Sequence, residues 1–148
     1  MCGFLGNDYV MVNNLNKLSH EYLIVKSKEI LELWKASELL PSLTIIWNQR
    51  LRTSAGRARL LEQVVELNPN LLKTNPENVL EVLTHELAHL VVFNRYGRTL
   101  PHGKEWKDLM REAGQAPMVY HRMNVNGLKG SRSRSKSNFK RILKLLIK

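Results

Sequence analysis

His85-Glu86-Leu87-Ala88-His89 is the stretch that decides how this chain is read. On an α-helix, positions i and i+4 share a face and lie about 6 Å apart along the axis. Two imidazoles so placed can close on one tetrahedral zinc ion at about 2.0–2.1 Å. Glu86 is offset by one residue from His85, so its carboxylate reaches a metal-bound water rather than the metal. That division of labour is the metalloprotease reading of HExxH. The flanking residues predict the helix this reading needs. Asn75 serves as N-cap, Pro76 takes the first helical position, and Glu77 sits on the positive end of the dipole. From Val79 to Phe93 the segment is apolar on most faces, as in a helix buried in the middle of its domain, and Gly97 is a natural stop. In the bland alternative, Glu81 and Thr84 lie on an exposed strip and the histidines are satisfied core residues. A lone histidine would favour that alternative; two at i,i+4 with a glutamate between them favour a metal.

Catalytic zinc usually takes three protein ligands and leaves a position for water. The candidates downstream are His102, Glu105, Asp108, Glu112 and His121. Pro101-His102-Gly103 reads as a turn before a new helix, whose packing face is Trp106, Leu109, Met110 and Ala113. His102 falls one turn before Trp106 and so points inward, which makes it the best third ligand. Glu105, Asp108 and Glu112 fall beside Lys104, Lys107 and Arg111 as a solvated charged stripe, and a glutamate ligand from this helix is the alternative.

Taken together, HELAH, the HGKEW of His102 to Trp106, and the stretch Trp47-Asn48-Gln49-Arg50-Leu51-Arg52-Thr53-Ser54-Ala55-Gly56-Arg57 resemble the SprT family, which includes the eukaryotic protease Spartan. Leu67-Asn68-Pro69 matches its asparagine-containing strand end, and the resemblance runs from about Ser19 to His121. It implies zinc held by His85, His89 and His102, Glu86 as general base, and a minimal metalloprotease layout with an edge strand flanking the cleft. Substrate could add to that edge as a further strand. It also implies protein substrates attached to, or crosslinked with, DNA. The sequence departs from many relatives in one respect. They continue into a zinc ribbon with paired cysteines, whereas this chain has a single cysteine, Cys2. Neither a Cys₄ site nor a disulfide framework is therefore expected.

A chain of 148 residues, 43% hydrophobic, suits one modest domain plus a tail. The expected division is a flexible N-terminus at 1–14, a metalloprotease domain at 15–121 and a basic tail at 122–148. The expected class is α+β: an N-terminal helix from Leu15, a three- to four-stranded antiparallel sheet, then two zinc-binding helices. The first helix is read from Leu15, Leu18, Tyr22, Val25, Ile30, Leu31 and Trp34. The strands are read at 43–47, 57–61 and 63–67, with Ala55-Gly56 an opening for a close backbone approach or an ordinary turn. No stretch nears the roughly 20 apolar residues of a membrane span, and residues 1–14 lack the marks of a signal peptide, which places the protein in the cytoplasm. Met11 is as good a start as Met1.

The net charge of +10 is uneven. Residues 1–121 carry 14 Lys and Arg against 13 Asp and Glu, while 122–148 carry nine basic residues and no acid. Residues 130–137 are too polar to pack a core, and Phe139 to Lys148 pattern as a short basic amphipathic helix. Three uses compete for the tail. The first is to hold phosphates of single- or double-stranded DNA or of RNA, with Arg132, Arg134, Lys136, Lys140, Arg141 and Lys144 as contacts; the second is to meet an acidic membrane surface; the third is to dock on its own domain. For the oxyanion of a peptide hydrolysis, Tyr120 or His121 is a candidate donor. The competing class is a non-proteolytic, zinc-containing, nucleic-acid-associated protein acting in transcription, in which a base beside the metal has no use. A third is a peptidase for unfolded polypeptides with no nucleic-acid role.

Overall fold

The computed structural model describes residues 17–119. Residues 1–16, Tyr120 and His121, and the basic tail with its six candidate nucleic-acid contacts lie outside the described residues.

Helix α1 (His20–Leu33) opens at Ser19, whose Oγ accepts from the Tyr22 N–H at 3.1 Å and so satisfies one of the donors a helix start leaves over. Its inward stripe is Leu23, Ser27, Ile30 and Leu31, continued by Trp34. Val25, read from the sequence as part of that stripe, is 48% exposed. It lies two positions from Leu23, which on a 3.6-residue period is close to the opposite side.

Three short strands follow: β1 (Thr44–Trp47), β2 (Gly56–Arg59) and β3 (Val64–Leu67), in the order β1-β3-β2. The sheet is mixed, which corrects the antiparallel expectation. β2 and β3 form an antiparallel hairpin with Ala58 opposite Val65, but β1 runs parallel to β3 with Ile45 opposite Val65. The antiparallel expectation treated consecutive strands as a meander. Instead β3 inserts between its two predecessors, and residues 48–63, β2 included, supply the long connection a parallel pair needs. β2 is left as an edge.

Asn68 ties this arrangement together. Its side chain caps α2 (Pro69–Leu72), accepting from the N–H groups of Asn70 and Leu71, and donates to the carbonyls of Leu51 and Ser54 at 2.9 and 3.0 Å. Its backbone N–H donates to Ala55 O at 2.8 Å. A fully buried amide is tolerated because each of its polar atoms is matched. The loop leading into β2 is thereby fixed to the end of β3.

Helix α3 (Val79–Tyr96) is the central element, with Val79, Val82, Leu83, Leu87, Ala88 and Val91 wholly buried. It is entered through a 3₁₀ turn at Pro76–Asn78, so Pro76 opens that turn rather than α3 itself. Asn75, expected to cap the helix, instead turns its amide back to Leu71 O at 2.8 Å and Thr74 Oγ1 at 3.0 Å. Thr84 is buried as well, its hydroxyl donating to Leu80 O at 2.7 Å, so no exposed strip runs through it. Gly97 ends the helix at φ 70°, its N–H returning to Phe93 O.

Helix α4 (Lys104–Glu112) is short and polar, and it is fastened by Trp106, Leu109 and Met110. Two buried indoles do the fastening: Trp34 Nε1 donates to Leu109 O at 3.0 Å, and Trp106 Nε1 donates to His85 O at 3.2 Å. An indole buries roughly 150–250 Å², an upper figure of about 4–6 kcal/mol each at about 25 cal/mol per Å². Among the described residues no helix is long and apolar enough to cross a membrane. The architecture is α+β, with a small three-stranded mixed sheet packed on helices.

Candidate metal centre

Helix α3 projects His85 and His89 from one face, as a separation of four residues requires. The loop after Gly97 turns back and brings His102 onto them. His102 Nε2 stands 3.0 Å from His85 Nε2 and 3.1 Å from His89 Nε2. A tetrahedral ion bound at about 2.0–2.1 Å holds its ligand nitrogens roughly 3.3 Å apart. The three nitrogens are thus within a few tenths of an ångström of the spacing one ion asks for, and the group fits a metal. Proton sharing serves the contacts poorly, because one ring nitrogen faces two others at hydrogen-bond distance.

The three rings share a wall. Trp106 meets His85 and His102 edge-on with centroids 4.7 Å away, and stacks on His89 at 5.8 Å and 26°. Burial first, and then the neighbouring His102, hold the His89 imidazole down at a pKa of about 4. The ring is therefore neutral at physiological pH, which is the form that ligates metals. His102 itself adopts φ 56°, a left-handed conformation uncommon outside glycine, of the kind that concentrates at functional sites. Gly103 beside it is closely fitted: a Cβ there would stand 3.0 Å from Leu100 O, so the backbone would have to give by a few tenths of an ångström.

Glu86 lies on the same turn of α3, buried, and faces β2. The backbone N–H of Ala58 donates to its carboxylate. Burial pushes the carboxyl up to about 8, against the smaller downward pull of that hydrogen bond. Gly56 makes the approach possible. A Cβ on Gly56 would stand 2.8 Å from Glu86 Cγ, 2.9 Å from Glu86 Oε1 and 2.9 Å from Val82 Cγ1. Gly56 thus opens a strand and makes room for side chains of α3, not for the close backbone approach expected from Ala55-Gly56.

The remaining sequence candidates go elsewhere. Asp108 pairs on the surface with Lys104 at 2.6 Å and Arg111 at 2.9 Å, and Glu112 is exposed. The histidine group that could hold a metal contains none of Glu105, Asp108 and Glu112. Two participants were missed from sequence: Trp106, read only as packing, and the Ala58 N–H, which has no side-chain signature at all. The glycine two residues before Ala58 was the only hint of the second.

Comparison with known proteins agrees with the motifs. A family model described as the SprT-like family matches residues 25–128. The chain is 40% identical over 101 residues to Protein SprT of Vibrio parahaemolyticus serotype O3:K6, covering 67% of this chain and 59% of that one. It is 45% identical over 78 residues to Protein SprT of Glaesserella parasuis serovar 5, covering 51% and 50%, and 42% identical over 88 residues to Protein SprT of Klebsiella pneumoniae, covering 58% and 52%. The chain thus spans about half to three-fifths of the length of these curated relatives. No solved structure gives a significant match.

Proposed function

The chain belongs to the SprT-like family, and on that premise we propose that it is a zinc-dependent endopeptidase in which His85, His89 and His102 hold the metal and Glu86 is the general base. The observation that carries the reading is the pairing of two features: an imidazole cluster spaced for one ion, two of its rings on α3 and one on the following loop, and beside it on α3 a buried carboxylate against the edge strand. The three histidines would hold the ion, and zinc, when bound there, would supply Lewis acidity for activating water and polarising a carbonyl. Three neutral nitrogen donors and no thiolate suit that ion. Glu86 takes a proton from the attacking water and hands it to the leaving amine. Burial raises the proton affinity of this carboxyl, while a dication held by the neighbouring histidines and the Ala58 N–H would both favour the ionised form that accepts a proton. An extended polypeptide would lie along the free edge of β2, adding a strand.

The substrates we propose are proteins bound to or crosslinked with DNA, with the basic tail at 122–148 holding nucleic acid in the cytoplasm. The tail's nine basic residues and lack of acids support this, and predict affinity that falls steeply with salt. The non-proteolytic reading gives no role to a buried carboxylate next to the cluster.

The test is cleavage of a DNA-binding protein by the zinc-loaded chain, with and without single-stranded DNA, beside Glu86→Gln. DNA-stimulated cleavage that falls by about 10²–10⁴-fold in the variant is the expected result, with bound zinc unchanged. Equal traces from the two proteins would overturn the catalytic role. Cleavage indifferent to DNA, and to removal of 128–148, would leave a peptidase of unfolded polypeptides.

A further inference from the structure

Against the histidine cluster lies a cleft of about 400 Å³ that the reading above does not use. Its floor includes His89, His102 and Trp106, so whatever fills it sits against the candidate metal centre. The walls are apolar. Leu60 and Leu61 stand on one side, from the turn between β2 and β3; Val92 and Phe93 come from α3; Leu100 and Pro101 come from the loop that delivers His102. Two of these are conspicuous together: Leu61 and Leu100 are each 78% exposed, and exposed leucines call for an explanation when they share one patch. Both stand on this cleft. Its charged lining is confined to Glu62, already paired with Arg59 at 2.7 Å, and exposed Arg98.

We infer that this cleft receives a large apolar side chain of the polypeptide substrate, from the residue next to the scissile bond, and so sets a cleavage preference. The inference rests on the endopeptidase reading and deepens it. The occupant follows from continuity. The cleft opens between the turn that ends edge strand β2 and the loop carrying His102, so a chain lying along β2 with its carbonyl at the cluster must pass its neighbouring side chain over this opening. A volume in the range of small-ligand pockets, about 300–1,000 Å³, admits leucine, methionine or phenylalanine. An acidic or amide side chain would lose its hydration against the apolar walls, with only the solvent-exposed Arg98 as a charged partner, where an ion pair contributes little. The exposed leucines at the mouth then have a use: they are covered when substrate is bound.

The experiment digests unfolded casein with the zinc-loaded full chain and identifies the new termini by mass spectrometry. Leucine, methionine and phenylalanine should be enriched about tenfold over acidic residues on one side of the cut, and on that side only. In the double variant Leu61→Arg, Leu100→Arg, both sites being exposed enough to accept arginine, that enrichment should disappear and cuts beside Asp and Glu should rise. An even profile in the unaltered chain, or the same profile in the variant, would overturn the cleft's role while leaving the endopeptidase standing. A separate measurement does not depend on turnover. Fluorescence anisotropy on Glu86→Gln should show a labelled octapeptide with central Phe binding about tenfold tighter than its Asp counterpart. Equal binding of the two peptides would sink the inference. Complete absence of cleavage by the unaltered chain would remove the endopeptidase reading, and this inference with it.

Discussion

Two of the three clustered histidines ride on a buried helix and the third on an exposed loop, and the two regions hold their side chains by different means. His85 and His89 need only the α-helical repeat and a helix buried well enough not to bend. His102 needs a chain reversal, a residue at φ 56°, a glycine on its C-terminal side and an indole to stop against. Regular structure places the first two at little conformational cost. The third is placed by local strain, of order 1–3 kcal/mol for such a backbone, offset by packing on Trp106. A site made this way has a rigid half and a half whose position depends on one neighbour.

Trp106 is where that comparison is most easily broken, because it touches both halves. Trp106→Ala should destabilise the chain by about 3–5 kcal/mol, measured by urea unfolding. It should also cost zinc affinity well beyond what lost stability explains, since His102 loses its stop. Trp106→Phe keeps most of the contact area but leaves His85 O without the indole donor, and should cost only about 1–2 kcal/mol. If the alanine variant bound zinc as tightly as the parent, the loop would be positioned by something other than the indole.

The helix half can be tested through its protons. A histidine in the unfolded chain titrates near 6.5, whereas burial and His102 hold His89 at about 4 in the fold. Between those values the unfolded chain takes up a proton that the folded chain refuses. In metal-free protein, stability should therefore drain as pH falls from about 6.5 to about 4, by up to about 3 kcal/mol. Above 6.5 this contribution is fully present. Denaturant melts at a series of pH values on His89→Gln should show a flatter profile; an unchanged slope would mean that His89 is not the group refusing the proton.

The same contrast explains what could be read from the amino acids. His85, Glu86 and His89 are a local pattern on a local repeat, and Gly97 ends their helix as its sequence position predicts. His102 was legible because a residue one turn before an apolar stripe faces the same way as that stripe. The sheet was not, since whether β3 lies beyond β2 or between β1 and β2 depends on pairing across residues 48–63, which no local period records. Asn75 shows a second limit. A residue with the right chemistry for a cap instead donates its amide to Leu71 O at the end of α2 and to Thr74 Oγ1, a use that no capping pattern records. The hydrogen bond from Ala58 to Glu86 is invisible for a third reason: backbone donors have no side-chain signature.

Gly56 measures how closely the rigid half is fitted to the sheet. Adding one methyl would place it 2.8–2.9 Å from Glu86 and Val82, against a buried carboxylate and a fully buried helix. Gly56→Ala should cost about 1–3 kcal/mol. Because Glu86 is the group displaced, cleavage should fall at least tenfold while zinc stays bound. A variant that lost stability but kept its rate would show that β2 merely packs on the helix and does not aim the carboxylate.

The smallest effect is expected at Gly97, where the two halves join. A Cβ there would meet nothing within 4 Å, so any cost of Gly97→Ala is conformational. The backbone sits at φ 70° and ψ −146°, outside the left-handed helical well that asparagine tolerates. Asparagine should therefore fail to rescue the position, and both variants should lose about 1–2 kcal/mol. If Gly97→Asn melted like the parent while Gly97→Ala did not, the helix would be ending in an ordinary left-handed cap. The path of the loop to His102 would then be set by Pro101 and Trp106 rather than by the angle at which the chain leaves α3.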